Sequence, residues 1–294
     1  MSFPNLIIVG DRINPQGFKN TAKMIAEEDI AGLQALAVKQ VEAGSSYVDV
    51  TIGPRAYEDL KFLQKVVVEL QDAVDVPLCI DYPVKHIVAA CLEVYDRDKS
   101  GGKVPLINSF AETRMEMFDL LDIMPCQVVI MSSEYLDENG APNSSKKSSD
   151  VVDVARRLTR KLIDEHGLTP DDIFIDVTIN SMISDMEGLT KMALDAIRSI
   201  HEDADMKDVH IIGGLTNIGN MVPKIEFDGM SLRHCIENAF LTRAVPLGFD
   251  TVLGTPWNEF TPLPEDHPVL VGFDEIIELK GLDAMRRLRK LWAK

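Results

Sequence analysis

One pattern recurs through the whole sequence: a short apolar run, a few polar or glycine residues, and then a segment with helical spacing of apolar residues. Runs of this kind are typical of strands buried on both faces of a parallel sheet. The predicted strands are residues 6–9, 47–52, 76–80, 104–107, 127–131, 173–175, 209–213 and 249–253. The predicted helices are residues 30–43, 57–74, 84–95, 111–124, 151–166, 189–201, 232–245 and 274–292.

Eight strand–helix units within 294 residues predict an α/β fold, a single (β/α)8 TIM barrel with residues 1–294 as one domain. The structural alternative is a doubly wound open sheet. That fold normally carries a glycine-rich phosphate turn after an early strand, and Gly10 and Gly17 do not have its spacing. The polar stretch 137–150 is predicted to be an exposed loop and not a domain linker, because the alternation resumes after it.

The charge of the chain argues against two classes of partner. Lys and Arg number 30 against 47 Asp and Glu, so the net charge is −17, which repels nucleic acid phosphates and anionic lipid. The apolar runs are shorter than a membrane span, and no secretory signal opens the sequence, so we expect a cytoplasmic protein. The cysteines have neither metal nor disulfide spacing and are expected to be buried reduced thiols: Cys79, Cys91, Cys126 and Cys235.

Four predicted strands are followed by a carboxylate or an amide at or near the strand end. These residues are Asp81, Asn108, Asp176 and Asn217. One such residue alone is more often a helix cap or a turn former, and the stretch 210–219 by itself fits a simple strand-to-loop turn. In a barrel, however, all four would meet at the face formed by the carboxyl ends of the strands, where barrel enzymes place their chemistry. The recurrence therefore favours a ligand site.

The residue types of this set restrict the ligand. Carboxylates accept paired N–H bonds and amides serve in either direction, which suits a flat heterocycle with several N–H groups and a carbonyl. No Lys or Arg cluster accompanies the set, as a phosphate would require, and the six histidines lack the spacing of transition-metal ligands. No metal site is predicted, although Mg²⁺ between Asp81 and Asp176 stays open as an alternative. The sequence shows no Gly-x-Ser-x-Gly elbow and no lysine at a strand end, which argues against acyl transfer and Schiff-base chemistry.

The segment Gly10-Asp11-Arg12-Ile13-Asn14 resembles the Gly-Glu-Arg-Ile-Asn opening of the pterin-binding methyltransferases that exchange methyl groups between tetrahydrofolate and corrinoid proteins. Further matches follow in the family's order at residues 49–54, 80–81, 107–109, 174–176 and 214–217, so the resemblance covers nearly the whole chain. Thr51 stands where the family usually has Asn, and Asp11 where it has Glu. The resemblance implies a barrel related to dihydropteroate synthase and to the folate domain of cobalamin-dependent methionine synthase.

The resemblance also implies roles for the residues at the strand ends. Asp81, Asn108 and Asp176 would hydrogen-bond the pterin ring. Asn217 would lie near N5, the nitrogen that carries the methyl group, with Asp176 as the second catalytic candidate. The remaining candidates for the pocket are Gly214 and Thr216 on the same wall, and Asp11, Asn14, Thr51 and Asn220.

By this resemblance the chain would move a methyl group between N5 of tetrahydrofolate, or a related tetrahydropterin, and cobalt. The corrinoid would arrive on a separate corrinoid protein, because this sequence lacks the Asp-x-His-x-x-Gly cobalamin motif, and no tightly bound cofactor is expected here. Chains of this kind also serve as the second methyltransferase of demethylation systems. The alternative is a barrel that binds a pterin without catalysis. Related enzymes are homodimers, and the apolar residues of segment 274–292 predict a homodimer here.

Overall fold

The computed structural model describes residues 2–227 and 229–292. Eight parallel strands close into a barrel in chain order, and the last strand pairs with the first. The strands are β1 (Ile7–Ile13), β2 (Tyr47–Val50), β3 (Leu78–Asp81), β4 (Leu106–Phe110), β5 (Gln127–Met131), β6 (Ile173–Asp176), β7 (His210–Gly214) and β8 (Thr251–Gly254). The predicted (β/α)8 TIM barrel is therefore confirmed.

Helices surround the barrel. They are α1 (Lys19–Ala26), α2 (Ile30–Glu42), α3 (Leu60–Ala73), α4 (Lys85–Leu92), α5 (Ser148–His166), α6 (Leu189–His201), α7 (Leu232–Ala244), α8 (Pro268–Ile277) and α9 (Gly281–Lys290). Within the described residues, no helix combines the length and the apolar character that a membrane crossing requires. All four cysteines are buried, as expected from the sequence.

Helix α1 was not predicted, and three further segments differ from the predicted elements. Segment 111–124 forms a 3-10 stretch, Glu112–Asp122, with non-helical backbone at Arg114, whose guanidinium reaches Ser109 Oγ (3.1 Å) and Glu134 Oε1 (2.6 Å). Segment 274–292 is two helices: α8 ends at Ile277, Lys280 has extended backbone (φ −134°, ψ 161°), and α9 begins at Gly281. The stretch 137–150 is only partly a loop, since Pro142–Ser144 pairs with Glu134–Leu136 in a short hairpin and α5 begins within it.

The barrel interior is filled by an apolar layer. Its members, which pack with each other in a cluster separate from the core under the helices, are Val9, Cys79, Leu106, Val129, Phe174 and Ile212. Side chains alternate between the two faces of a strand, so the residues two positions further along point into the barrel as well. Those residues include Asp11, Asp81, Asn108 and Asp176. A polar layer therefore lies directly above an apolar one, at the carboxyl ends of the strands.

At the opposite end of the barrel, which we call the base, polar and aromatic side chains contact each other. The Tyr47 hydroxyl donates to Gln127 Oε1 at 2.7 Å, and the Phe174 ring lies edge-on to Tyr47 and stacks on His210 at 4.5 Å between centroids. His210 Nδ1 lies 2.7 Å from Asp250 Oδ2. Burial alone would lower the pKa of His210, but its bonds to Asp250 and Asp171 outweigh burial and raise that pKa.

The C-terminal segment uses most of its apolar residues inside the chain. Leu288 is fully buried, and Leu279, Leu291 and Trp292 pack against the core. Leu282 is 65% exposed. The apolar surface that motivated the predicted homodimer is therefore smaller than the sequence suggests, and the homodimer stays a prediction.

Candidate functional site

Asp81 and Asn108 stand side by side at the ends of neighbouring strands. They are register partners across β3 and β4, and within the described part of the chain neither side chain has a hydrogen-bond partner. Burial and the nearby Asp176 raise the pKa of Asp81 to about 6. Because buried polar groups are normally hydrogen-bonded, this pair retains bonding capacity that a ligand could use.

Asp176 ends β6 across the mouth of the barrel. Its Oδ1 accepts a hydrogen bond from the Thr178 amide at 2.6 Å, where the chain turns through a left-handed residue (Thr178, φ 55°). Burial outweighs this bond and raises the pKa of Asp176 to about 6. Oδ2 has no hydrogen-bond partner among the described residues, so Asp176 offers an oxygen at the same end of the barrel as Asp81 and Asn108.

Asp49 is a buried carboxyl that the sequence analysis did not select. It pairs in register with Cys79, at the level of the apolar layer, and its Oδ1 is buried without a hydrogen-bond partner. Burial and the neighbouring Asp81 raise the pKa of Asp49 well above its ordinary value. Burial at the level of the apolar layer therefore favours the protonated form of Asp49.

Asp11 and Thr216 are joined directly. Thr216 Oγ1 donates to Asp11 Oδ2 at 2.7 Å, and Thr255 Oγ1 donates to Asp11 Oδ1 at 3.4 Å. Burial raises the pKa of Asp11, although both hydroxyls oppose that shift. This cluster ties the end of β1 to the segments that follow β7 and β8.

The Arg12 side chain packs beside this cluster. The sequence pattern did not predict this packing. Its guanidinium carbon lies 3.5 Å from the centroid of the Phe18 ring and 5.2 Å from that of Trp257. Such stacking stabilises a partly buried cation. Burial lowers the pKa of Arg12, while the Asp11 charge opposes that shift.

Asn217 is not a buried strand-end residue. β7 ends at Gly214, and Asn217 closes a single 3-10 turn with an exposed side chain. Its Oδ1 accepts from Asn220 Nδ2 at 3.3 Å. A Cβ added to Gly214 would lie 2.8 Å from Asn217 Nδ2, so the glycine lets this amide lie over the strand end.

Arg233, which lies on α7, stabilises this turn. Arg233 on α7 donates to the Thr216 carbonyl at 2.7 Å and to Asn220 Oδ1 at 3.3 Å. Its charge is balanced by the buried Glu237, whose Oε1 lies 3.3 Å from Arg233 Nε. Arg233 therefore positions the segment that carries Asn217, and no motif in the sequence marked it.

Two of the weaker candidates, Asn14 and Thr51, bond within their own loops. Asn14 Oδ1 accepts from the Gln16 amide at 2.9 Å, and Thr51 Oγ1 accepts from the Gly53 amide at 3.1 Å. The Tyr82 hydroxyl supports the second loop by accepting from the Ile52 amide at 2.6 Å. Both loops follow barrel strands, at the same end as Asp81, and a pterin contact for Asn14 or Thr51 stays a prediction.

No three His, Cys, Asp or Glu side chains of residues 2–227 and 229–292 lie together as metal ligands. The chemistry that this end of the barrel can perform is hydrogen bonding: carboxylate oxygens with open acceptor sites, and amides that can donate or accept.

A family model described as "Pterin binding enzyme" matches residues 10–253. The chain is 29% identical over 261 residues to a methylcorrinoid:tetrahydrofolate methyltransferase of Eubacterium limosum, covering 85% of each chain.

Solved structures give the same fold. The dihydropteroate synthase of Stenotrophomonas maltophilia matches with a TM-score of 0.56 and 17% identity, over 99% of this chain and 94% of that one. The dihydropteroate synthase of Burkholderia cenocepacia matches with a TM-score of 0.52 and 16% identity, over 98% of this chain and 94% of that one. Identities this low show the fold alone.

Proposed function

The chain belongs to the pterin-binding enzyme family, and we propose that it transfers a methyl group between N5 of tetrahydrofolate and the cobalt of a separate corrinoid protein. The observation that carries this proposal is the polar layer of Asp81, Asn108 and Asp176, whose open hydrogen-bonding positions lie above an apolar floor. The name of the Eubacterium limosum relative supports the choice of folate and a methylcorrinoid as the two substrates.

Asp81, Asn108 and Asp176 would hold the amino-pyrimidinone edge of the pterin. That edge carries an amino group, a ring N–H and a carbonyl, so it needs two or more acceptors and one donor. Carboxylate oxygens supply the acceptors and the Asn108 amide supplies the donor. Each N–H bond favours the charged form of a carboxylate, so bound pterin would lower the pKa of Asp81 and of Asp176 from about 6.

Asn217 would act at N5. During transfer from folate, N5 must gain positive character before the methyl group leaves, and in the other direction N5 must lose its proton. An amide can accept a hydrogen bond from a protonated nitrogen and donate one to a bare nitrogen, so it can follow both states. Asp176 is the second candidate for this role, because its carboxyl ends β6 at the mouth of the barrel and a carboxylate can accept a proton.

The methyl group would move between two nucleophiles. In transfer from the corrinoid, the cobalt–carbon bond breaks with both electrons staying on cobalt, the N5 lone pair forms the new carbon–nitrogen bond, and the N5 proton leaves. The opposite direction reverses each change. The "methylcorrinoid" in the relative's name favours the first direction, which is the second step of a demethylation system. The chain would contribute binding and positioning of the pterin.

Residues 1–294 would act as one domain, in the cytoplasm and as a homodimer. Light scattering tests the homodimer, and a particle with the mass of one chain at micromolar concentration would contradict it.

Turnover with a free corrinoid tests the proposed activity. Purified chain mixed with methylcob(III)alamin and tetrahydrofolate should produce cob(I)alamin and methyltetrahydrofolate, seen as a folate-dependent change in corrinoid absorbance. If no corrinoid, free or protein-bound, changes in a folate-dependent way, the proposed activity is wrong. Folate binding without turnover would instead support the non-catalytic alternative.

A further inference from the structure

The two ends of the Asn217 amide have different surroundings. Its oxygen Oδ1 accepts a hydrogen bond from Asn220 Nδ2 at 3.3 Å. Its nitrogen is the end that lies over β7, because a Cβ added to Gly214 would lie 2.8 Å from Asn217 Nδ2 and beyond 4 Å from Oδ1. Among residues 2–227 and 229–292, Nδ2 has no hydrogen-bond partner. The free end of this amide is therefore a hydrogen-bond donor.

Arg233 determines which way the Asn220 amide faces. A guanidinium can only donate hydrogen bonds, and Arg233 Nη2 lies 3.3 Å from Asn220 Oδ1. Asn220 therefore presents its oxygen to Arg233, and its amino group is left for Asn217. With the Asn220 amide turned over, two donors would face each other at Arg233 and two oxygens would face each other at Asn217. Each of the two hydrogen bonds thus requires the orientation that the other one requires.

The Arg233 side chain is itself held in place. The buried Glu237 places Oε1 3.3 Å from Arg233 Nε and accepts from Asn258 Nδ2 at 3.1 Å with Oε2. Arg233 Nη2 also donates to the Thr216 carbonyl at 2.7 Å. Gly219 lets the turn pack directly on α7, because a Cβ at this position would lie 2.4 Å from Arg233 Cγ. The guanidinium that orients Asn220 is therefore fixed from both sides.

We infer that Asn220 is a positioning residue, which makes Asn217 present its N–H end and not its oxygen to N5. The inference rests on the proposed function, which places Asn217 at N5. In tetrahydrofolate N5 carries a hydrogen and a lone pair, and in methyltetrahydrofolate a methyl group replaces the hydrogen. An N–H donor can bond the lone pair of either folate, whereas an oxygen can bond only the N5 hydrogen of tetrahydrofolate. Donation also draws electron density from N5, which helps the methyl group to leave.

The experiment measures the dissociation constants of tetrahydrofolate and methyltetrahydrofolate by anaerobic isothermal titration and takes their ratio for each protein. The test variant is Asn220→Asp. It keeps an oxygen for Arg233 but replaces the amino group with a second oxygen, which repels Asn217 Oδ1 and turns that oxygen towards N5. Asn220→Ala removes both contacts and leaves Asn217 free to take either orientation. The matched control is Asn139→Asp, the same change of charge at an exposed residue.

We expect Asn220→Asp to weaken the binding of methyltetrahydrofolate about three- to tenfold relative to tetrahydrofolate, since one hydrogen bond is lost with the methylated folate alone. Asn220→Ala should shift the ratio by less, and Asn139→Asp should leave it unchanged. With cob(I)alamin and methyltetrahydrofolate, kcat of Asn220→Asp should fall by about tenfold or more, because the donor at N5 is lost. A residue that only held the turn together would give the reverse order, because Asn220→Asp keeps the bond to Arg233 and Asn220→Ala loses it.

The contrary results separate this inference from the proposed function. A parent chain that binds neither folate contradicts the proposed function, and the inference falls with it. Where the parent chain binds both folates, an unchanged ratio in Asn220→Asp overturns the inference alone. A larger shift in Asn220→Ala than in Asn220→Asp also overturns it, because Asn220 would then act by holding the turn. An equal shift in Asn139→Asp would assign the effect to charge and contradict the inference as well.

Discussion

The polar side chains at the two ends of the barrel differ in whether they have hydrogen-bond partners. At the base, His210 is bonded to Asp250 and Asp171, and the Tyr47 hydroxyl is bonded to Gln127. At the mouth, Asp81 and Asn108 have no hydrogen-bond partner in the described part of the chain, although Asp81 is mostly buried. Paired buried groups stabilise a fold, whereas unpaired ones cost stability until a ligand arrives. From this comparison we expect the base to contribute stability and the mouth to bind the ligand.

Replacement of Asn217 should have the largest effect on transfer. Asn217→Ala is expected to lower kcat by about 10²-fold or more, because a preorganised group that meets the changing charge on N5 is lost. Folate affinity should fall by less, since the bond strengthens only as N5 changes protonation. Single-turnover kinetics and equilibrium folate titration separate the two quantities. A variant that loses folate binding but keeps its turnover would place Asn217 in the wall of the pocket.

Changes to the ring-binding carboxyls should act on binding first. Asp81→Asn and Asp176→Asn are each expected to weaken folate binding by about 1–3 kcal/mol, because a ring N–H loses its acceptor. Isothermal titration measures this loss. Asp137→Asn, on an exposed hairpin loop, is the matched control and should bind folate normally. Normal affinity in both mouth variants would break the assignment of ligand binding to the mouth.

The mouth should also give folate binding a pH dependence. Asp81 and Asp176 have pKa values of about 6, and only their charged forms accept N–H bonds at both oxygens. Folate affinity is therefore expected to fall as the pH drops through about 6, and to fall less in Asp81→Asn. Titrations between pH 5 and 8 test this, and a flat profile would contradict it.

The stability of the ligand-free chain should change with pH in the opposite sense. Both carboxyls have folded-state pKa values above the ordinary 3.8, so the folded chain binds more protons than the unfolded chain between about pH 4 and 6. The free energy of unfolding should decrease as the pH rises through this range. Urea unfolding of the parent chain and of Asp81→Asn/Asp176→Asn measures the difference, and equal slopes for the two proteins would count against buried, unpaired carboxyls.

A change at the base should have the smallest effect on activity. His210→Ala removes the stacking on Phe174 and the bond to Asp250, and is expected to cost about 1–3 kcal/mol in the free energy of unfolding. The turnover of the folded variant should equal that of the parent chain. Because the pKa of His210 is raised, its stabilising contribution is present at low pH and is lost as the pH rises through that pKa. A large loss of kcat in this variant would contradict the expectation that the base contributes to stability and the mouth to activity.

The sequence allowed the positions of the candidate residues in the barrel to be predicted better than their detailed geometry. Asp81, Asn108 and Asp176 could be selected because strand periodicity and the end of each apolar run fix where such side chains point. Asp49 lies inside an apolar run, and no pattern shows that its Oδ1 is buried without a hydrogen-bond partner. Arg233 was missed because its contact with Thr216 spans 17 residues and depends on how α7 packs.

The pattern of apolar residues also predicts poorly which conformation the backbone takes after a strand ends. Asn217 was expected at the end of a strand, but the chain leaves β7 at Gly214 and makes a turn first. Segment 274–292 was expected to be one helix, but α8 ends at Ile277 and extended backbone at Lys280 precedes α9, a break that helical spacing does not reveal. In both places, tertiary contacts determine the conformation of a few backbone residues.

The apolar layer beneath the site has a consequence for the timing of the reaction. Its side chains separate the mouth from the base, and Asp49 at the same level has an unpartnered oxygen, so the described residues provide no hydrogen-bonded relay through the barrel. The proton that N5 releases must then leave by the opening through which the methyl group arrived. While a corrinoid protein covers that opening, the proton stays inside. In stopped-flow experiments with a pH indicator, proton release into solution should therefore lag behind the change in cobalt absorbance with a protein-bound corrinoid, and coincide with it when the corrinoid is free.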